Sequence, residues 1–133
     1  MVELDGGFYR EIVEHALREF PNEACGLIAA KEGRPVRVYA MRNLDASPVT
    51  YRLDPKEQLH VFQEMDSEGW ELYGIYHSHT HSEAYPSETE RRVAFYPDSK
   101  YLLLYLQDRE NPVLRAFLIT EEGEVAEEEL RVA

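Results

Sequence analysis

One cysteine, Cys25, is all the thiol chemistry this 133-residue sequence carries. No internal disulfide can form and a cysteine-rich zinc site is excluded, so any metal must be held by histidine and carboxylate; a lone thiol also suits a reducing cytoplasm, the expected location. Basic residues are scarce as well, with 14 Lys and Arg against 26 Asp and Glu and a formal charge of -12. That is the wrong sign for neutralising phosphates, and nucleic acid is not an expected partner. Long apolar runs are missing too. The longest, Tyr101 to Leu106, is too short to span a bilayer, and Met1-Val2-Glu3-Leu4-Asp5 is acidic where a secretory signal needs a basic start, so no membrane association is expected. There is no internal repeat and no low-complexity linker. With 44% hydrophobic residues, the expectation is a single domain over 1–133 that buries its own core.

What is present reads as alternating helices and strands. Phe8, Ile12, Val13, Ala16, Leu17 and Phe20 recur at helical spacing until Pro21 stops the pattern. Ala24–Ala30 and Val36–Ala40 flank a turn-forming Lys31-Glu32-Gly33-Arg34-Pro35 and predict a hairpin, with a further strand over Tyr51–Leu53. Asp54 as N-cap, Pro55 at the first helical position, Leu59, Phe62 and Met65 on one face and Gly69 at the end predict a second helix. Leu72–His77 reads as a buried strand. Ser87-Glu88-Thr89-Glu90 has the form of a helix start before Val93 and Phe95, and Tyr101–Leu106, Val113–Ile119 and Val125–Val132 read as three closing strands. The six carboxylates between Glu121 and Glu129 alternate with small residues as a solvated edge strand would. The sum is an α/β chain with a mixed sheet flanked by about three helices.

Chemistry concentrates between His77 and Glu90. Two histidines two apart at the end of a strand point the same way, so both imidazoles of His77 and His79 can reach one ion. Catalytic zinc commonly takes three protein ligands from histidine and carboxylate and keeps a fourth position for water, and Glu90, in the first turn of the next helix, is the natural third ligand. The plainer reading is that Ser87 and Glu90 form an ordinary capping box beside a solvated histidine loop. Cys25, in an apolar run without a neighbouring base, reads as core and not as a nucleophile. His81-Ser82-Glu83 matches half of a zinc deaminase signature, but the Pro-Cys-x-x-Cys that must follow is absent, as is His-Glu-x-x-His.

The whole constellation, His77-Ser78-His79, seven residues, then Ser87-x-x-Glu90, resembles the signature of the JAMM (MPN+) zinc metallopeptidase family. Glu23, just ahead of Cys25-Gly26, occupies the place of that family's catalytic glutamate. Segments around Arg42-Asn43, Ser47-Pro48, Asp54-Pro55 and Tyr85-Pro86-Ser87 are most similar to small bacterial members that process sulfur-carrier proteins. The one departure is Glu90, where the family typically has aspartate; the carboxylate is kept, one methylene longer.

The resemblance implies a JAMM (MPN) domain with a cytidine-deaminase-like sandwich, Zn2+ on His77, His79 and Glu90, Glu23 as general base and acid, and Ser87 as the oxyanion donor. It implies as partner a ubiquitin-like or sulfur-carrier β-grasp protein with a C-terminal Gly-Gly, cleaved at the amide or isopeptide bond that follows. The alternative is a noncatalytic MPN-type scaffold, a use to which the same fold is put when ligands are lost. His81 reads as a loop residue near the cleft mouth.

Overall fold

The computed structural model describes residues 1–82, 84–92 and 96–133. Its helices begin where the sequence places capping groups. Asp5 caps α1 (Gly6–Glu19), its Oδ1 accepting from the Gly7 N–H at 2.8 Å, so α1 starts two residues before the first periodic apolar position. Asp54 caps α2 (Pro55–Glu68) in the same way, with Pro55 in the first turn and Gly69 leaving the helix at φ 73°. The buried face of α2 is Val61 and Met65; Leu59, expected on that face, is exposed. A short α3 (Glu88–Arg92) follows the histidine segment, and the expected Val93 and Phe95 lie outside the described residues.

The predicted hairpin forms as β2 (Cys25–Lys31) and β3 (Arg34–Met41), turning at Glu32 and Gly33 with positive φ. β4 (Glu71–His79), β5 (Lys100–Tyr105), β6 (Val113–Ile119) and β7 (Val125–Glu128) complete a six-stranded sheet of order β3-β2-β4-β5-β6-β7. It is mixed: β4 and β5 run parallel and the other pairs antiparallel. β7, carrying Glu127 and Glu128, is an outer strand of this sheet, as its acidic composition suggested.

Two expectations fail here. Val125–Val132 is not one strand: it breaks at Glu129, and β8 (Leu130–Val132) leaves to pair in parallel with β1 (Val2–Leu4). Three-residue strands are too short for a period-2 signal, and the pairing joins opposite ends of the chain. Nor is Tyr51–Leu53 a strand; only an Asn43–Leu53 bridge forms. Residues 43–53 are organised by the Asn43 side chain instead, whose Oδ1 accepts from the Asp45 and Arg52 N–H groups and whose Nδ2 donates to the Thr50 and Glu23 carbonyls.

Both faces of the sheet are covered. Tyr76, Leu102, Leu104 and Ala116 pack with Ile12 and Ala16 of α1 and with Val2 and Leu4. Ile75, Leu103 and Phe117 alternate with them and pack with Val61 and Met65 of α2. Gly26 is demanded by this packing, since a Cβ there would lie 2.4 Å from the Tyr76 ring. Sheet parity therefore sends His77 and His79 to the same side as Ile75, toward α2.

Candidate active site

His77 and His79 end β4 and are 2% exposed. Their Nε2 atoms face each other at 3.1 Å, and the Glu90 carboxylate closes the triangle, with Oε2 2.8 Å from His79 Nε2 and in contact with His77 Nε2. The three side chains form a group able to hold one metal ion. The donor set suits such an ion in kind, two imidazoles and a carboxylate; ligands of a tetrahedral zinc at about 2.0–2.2 Å lie roughly 3.3–3.6 Å from one another, so the triangle, hydrogen-bonded to itself at 2.8–3.1 Å between His79 and its two partners, must open to admit one. Burial, joined by the charge of His79, lowers the His77 pKa, and contact with Glu90 only partly offsets it, which favours the neutral imidazole that a ligand must be. Burial would raise Glu90, but the hydrogen bonds and charge of the two histidines outweigh it and keep its carboxyl well below the usual range.

The capping box and the triangle coexist. Glu90 Oε1 accepts from the Ser87 N–H at 2.7 Å while Ser87 Oγ accepts from the Glu90 N–H at 3.1 Å. The extra methylene of glutamate lets one carboxylate reach the helix cap with Oε1 and the imidazoles with Oε2. Ser87 is exposed, and its hydroxyl proton is not used by this box.

Glu23 precedes β2 and is only 4% exposed, two residues from Cys25, whose register partner is His77. Its position is fixed by backbone ties: its N–H donates to the Ser47 carbonyl at 2.8 Å, and Asn43 Nδ2 donates to its carbonyl at 3.0 Å. Next door, the Ala24 N–H donates to Ser78 Oγ at 2.8 Å, so the serine between the two histidines uses its opposite orientation to lock the Glu23 segment onto β4. Glu23 Oε1 is buried without a hydrogen-bond partner among the described residues. Burial pushes its pKa up to about 8, with His79 pulling it down and Glu90 pushing it further up. A cation in the triangle would oppose the Glu90 effect and favour the ionised form.

Every residue singled out in the signature thus comes to one place, and His81 does not. β4 ends at His79; His81 is exposed, with its Nδ1 2.7 Å from Thr80 Oγ1. Cys25 is buried and its thiol is pushed up to about 12 by burial and neighbouring carboxylates, incompatible with a thiolate nucleophile. Sequence reasoning left Tyr51 without a role: its ring stacks on His77, centroids 4.3 Å apart at 21°. It also left Ser78 unassigned, although strand alternation alone sends a residue between two same-side histidines to the other face. A cavity of about 730 Å3 opens beside Ser87 and Glu90, walled by Tyr51, Leu53, Ile75 and Tyr101.

Comparison with known proteins identifies the family. The family described as prokaryotic homologs of the JAB domain matches residues 7–120. The chain is 44% identical over 123 residues to the CysO-cysteine peptidase of Mycobacterium tuberculosis, covering 91% of this chain and 84% of that protein. It is 37% identical over 93 residues to a desampylase of Haloferax volcanii, covering 68% and 67%. A solution structure of a protein from Desulfitobacterium hafniense superposes with a TM-score of 0.89 at 39% identity, covering 100% of this chain and 93% of that one. In fold alone the chain is also similar to a structure described as a JAMM metalloprotease-like zinc site of the proteasome and signalosome, at TM-score 0.63 and 16% identity over 100% and 98% of the two chains. The chain therefore belongs to the JAMM (JAB/MPN) family, in its prokaryotic branch, and is a JAMM-type peptidase.

Proposed function

We propose that this protein is a zinc-dependent hydrolase that cleaves the amide or isopeptide bond after the C-terminal Gly-Gly of a ubiquitin-like or sulfur-carrier protein, in one form releasing cysteine from a carrier-cysteine adduct. The observation that carries the reading is the meeting of three donors, two buried on a strand end and one half-buried at a helix start, beside a buried carboxylate that is not one of the three. Support for the substrate class comes from the relatives, one named a CysO-cysteine peptidase and one a desampylase.

His77, His79 and Glu90 would hold the zinc, which when bound supplies an acidified water and polarisation of the scissile carbonyl. Glu23 Oε1 accepts the proton of the attacking water and delivers it to the leaving amine, a task for a carboxylate that is not a ligand. Its burial excludes bulk water from that transfer. Ser87 Oγ, engaged as acceptor from Glu90 N–H, has its own proton to donate to the oxyanion, and one such donor is typically worth about 2.7–4 kcal/mol. A noncatalytic scaffold of this fold would have no reason to gather two imidazoles and the Glu23 carboxylate in buried space, where each costs solvation unless partnered.

The test is to count zinc by elemental analysis and follow a carrier-cysteine or carrier-lysine conjugate by mass spectrometry. Wild type is expected to cleave. Glu23→Gln should keep its zinc and lose about 10²–10⁴-fold in turnover, the usual share of general acid-base catalysis. Zinc-loaded wild type that leaves both conjugates intact would defeat the substrate assignment, and equal turnover in Glu23→Gln would defeat the mechanism.

A further inference from the structure

A histidine that ligates a metal almost always donates its second ring N–H to a carbonyl, carboxylate or water, and that bond holds the ring at the angle the metal needs. His77 breaks the pattern. Its Nε2 belongs to the triangle with His79 and Glu90, but its Nδ1 is buried and has no hydrogen-bond partner among the described residues. What the ring has instead is an aromatic face: Tyr51 lies over it with centroids 4.3 Å apart and planes inclined by only 21°. A nearly parallel contact of that kind restricts tilting of the imidazole out of its plane, the motion that would swing Nε2 away from the other two donors.

Tyr51 is itself held firmly enough to serve. The segment that carries it is stitched at both ends, by Asn43 to Thr50 and Arg52 and by the Thr80 hydroxyl, which donates to the Pro48 carbonyl at 2.8 Å. Thr80 directly follows His79, so the loop bearing the stacked ring is anchored to the strand bearing the ligands. The same loop accepts the Glu23 N–H at Ser47. Tyr51 also walls the cavity that begins at Ser87 and Glu90.

We propose that Tyr51 is a positioning residue for the metal centre, setting the orientation of His77 by ring stacking in place of the hydrogen bond that Nδ1 lacks. The inference rests on the reading of His77 as a ligand. Because the ring and not the phenol oxygen makes the contact, the conservative variant must rescue it.

The experiment uses cobalt(II) added to the metal-free full chain, read by its visible absorption, which reports both affinity and the geometry of the ligand set. Wild type is expected to give the intense spectrum of a four-coordinate site. Tyr51→Phe should match it in shape and bind within about 3-fold. Tyr51→Leu, of apolar character but without a ring, should bind roughly 10–100-fold more weakly, the range for loss of an orienting partner, with an altered band pattern. Leu53→Ala, on the same cavity wall but off the imidazole, should bind as wild type. Equal binding and spectra for Tyr51→Leu and wild type would overturn the proposal, as would a Tyr51→Phe variant as impaired as Tyr51→Leu; should the Leu variant fail to fold, Tyr51→Met, also without a ring, is read in its place. Failure of wild type to bind cobalt at all would instead overturn the metal-centre reading beneath it.

Discussion

The two faces of the sheet each bury histidine, and they use it in opposite ways. On the α1 face, His15 is 3% exposed and spends its Nδ1 on the Tyr76 hydroxyl at 2.7 Å, with the rings edge to face. On the α2 face, His77 is as deeply buried, but its partners are another imidazole and a carboxylate that all turn toward one point. The first is a core histidine that satisfies a polar atom within apolar packing. The second belongs to a set in which three groups would each be better satisfied by a cation than by one another. Burial alone therefore says little about a histidine; the convergence of neighbours does.

The widest separation between the faces is expected from alanine. His77→Ala should lose metal and bring conjugate cleavage to background. His15→Ala should keep zinc and a kcat/KM within a few-fold of wild type while losing about 2–4 kcal/mol of stability, from the deleted ring and the orphaned Tyr76 hydroxyl. Elemental analysis beside urea unfolding reads both; zinc loss in the His15 variant would erase the distinction.

A smaller effect sharpens the α2 side. Glu90→Asp shortens a side chain that now serves both the Ser87 N–H and the imidazoles, so one of the two contacts must lengthen. Metal affinity is expected to fall roughly 10–100-fold, as for a misoriented ligand. Unchanged affinity in a competitive chelator titration would mean that the α3 start moves freely toward the histidines.

Acid should bring the faces together, by the smallest margin. Burial lowers the pKa of both His15 and His77 in the folded chain. Above the unfolded-state value of about 6.5 neither residue contributes a pH dependence. As pH falls below it, the unfolded chain takes up protons that the folded chain refuses, so the stability of the metal-free protein declines by up to about 1.4 kcal/mol per pH unit for each group. His15→Gln should flatten the slope between pH 6.5 and 5 by less than one proton without touching the metal site. Parallel slopes in urea unfolding at these pH values would count against the assignment.

Much of the site was legible because it is written in local patterns. Strand parity places His77 and His79 on one side, and Ser87-x-x-Glu90 announces a helix start whose first turn faces back along the chain. The capping box and the convergence of Glu90 on the two histidines, rivals on paper, coexist in one arrangement, since a carboxylate has two oxygens. The loop of residues 43–53 was misjudged because Tyr51 to Leu53 has strand-like composition, while side-chain bonds from Asn43 decide its path. Composition carries no sign of that.

By itself the sequence determined the helix caps, the hairpin, the alternation of buried faces and the spacing of the signature, because each depends on neighbours within a few residues. Only the tertiary structure decided that the chain ends pair as β1 and β8, that Ser78 clasps the Glu23 segment, and that Tyr51 covers His77. Those contacts join residues tens of positions apart. Which distant groups meet is settled by how two covered sheet faces pack, and no local periodicity records it.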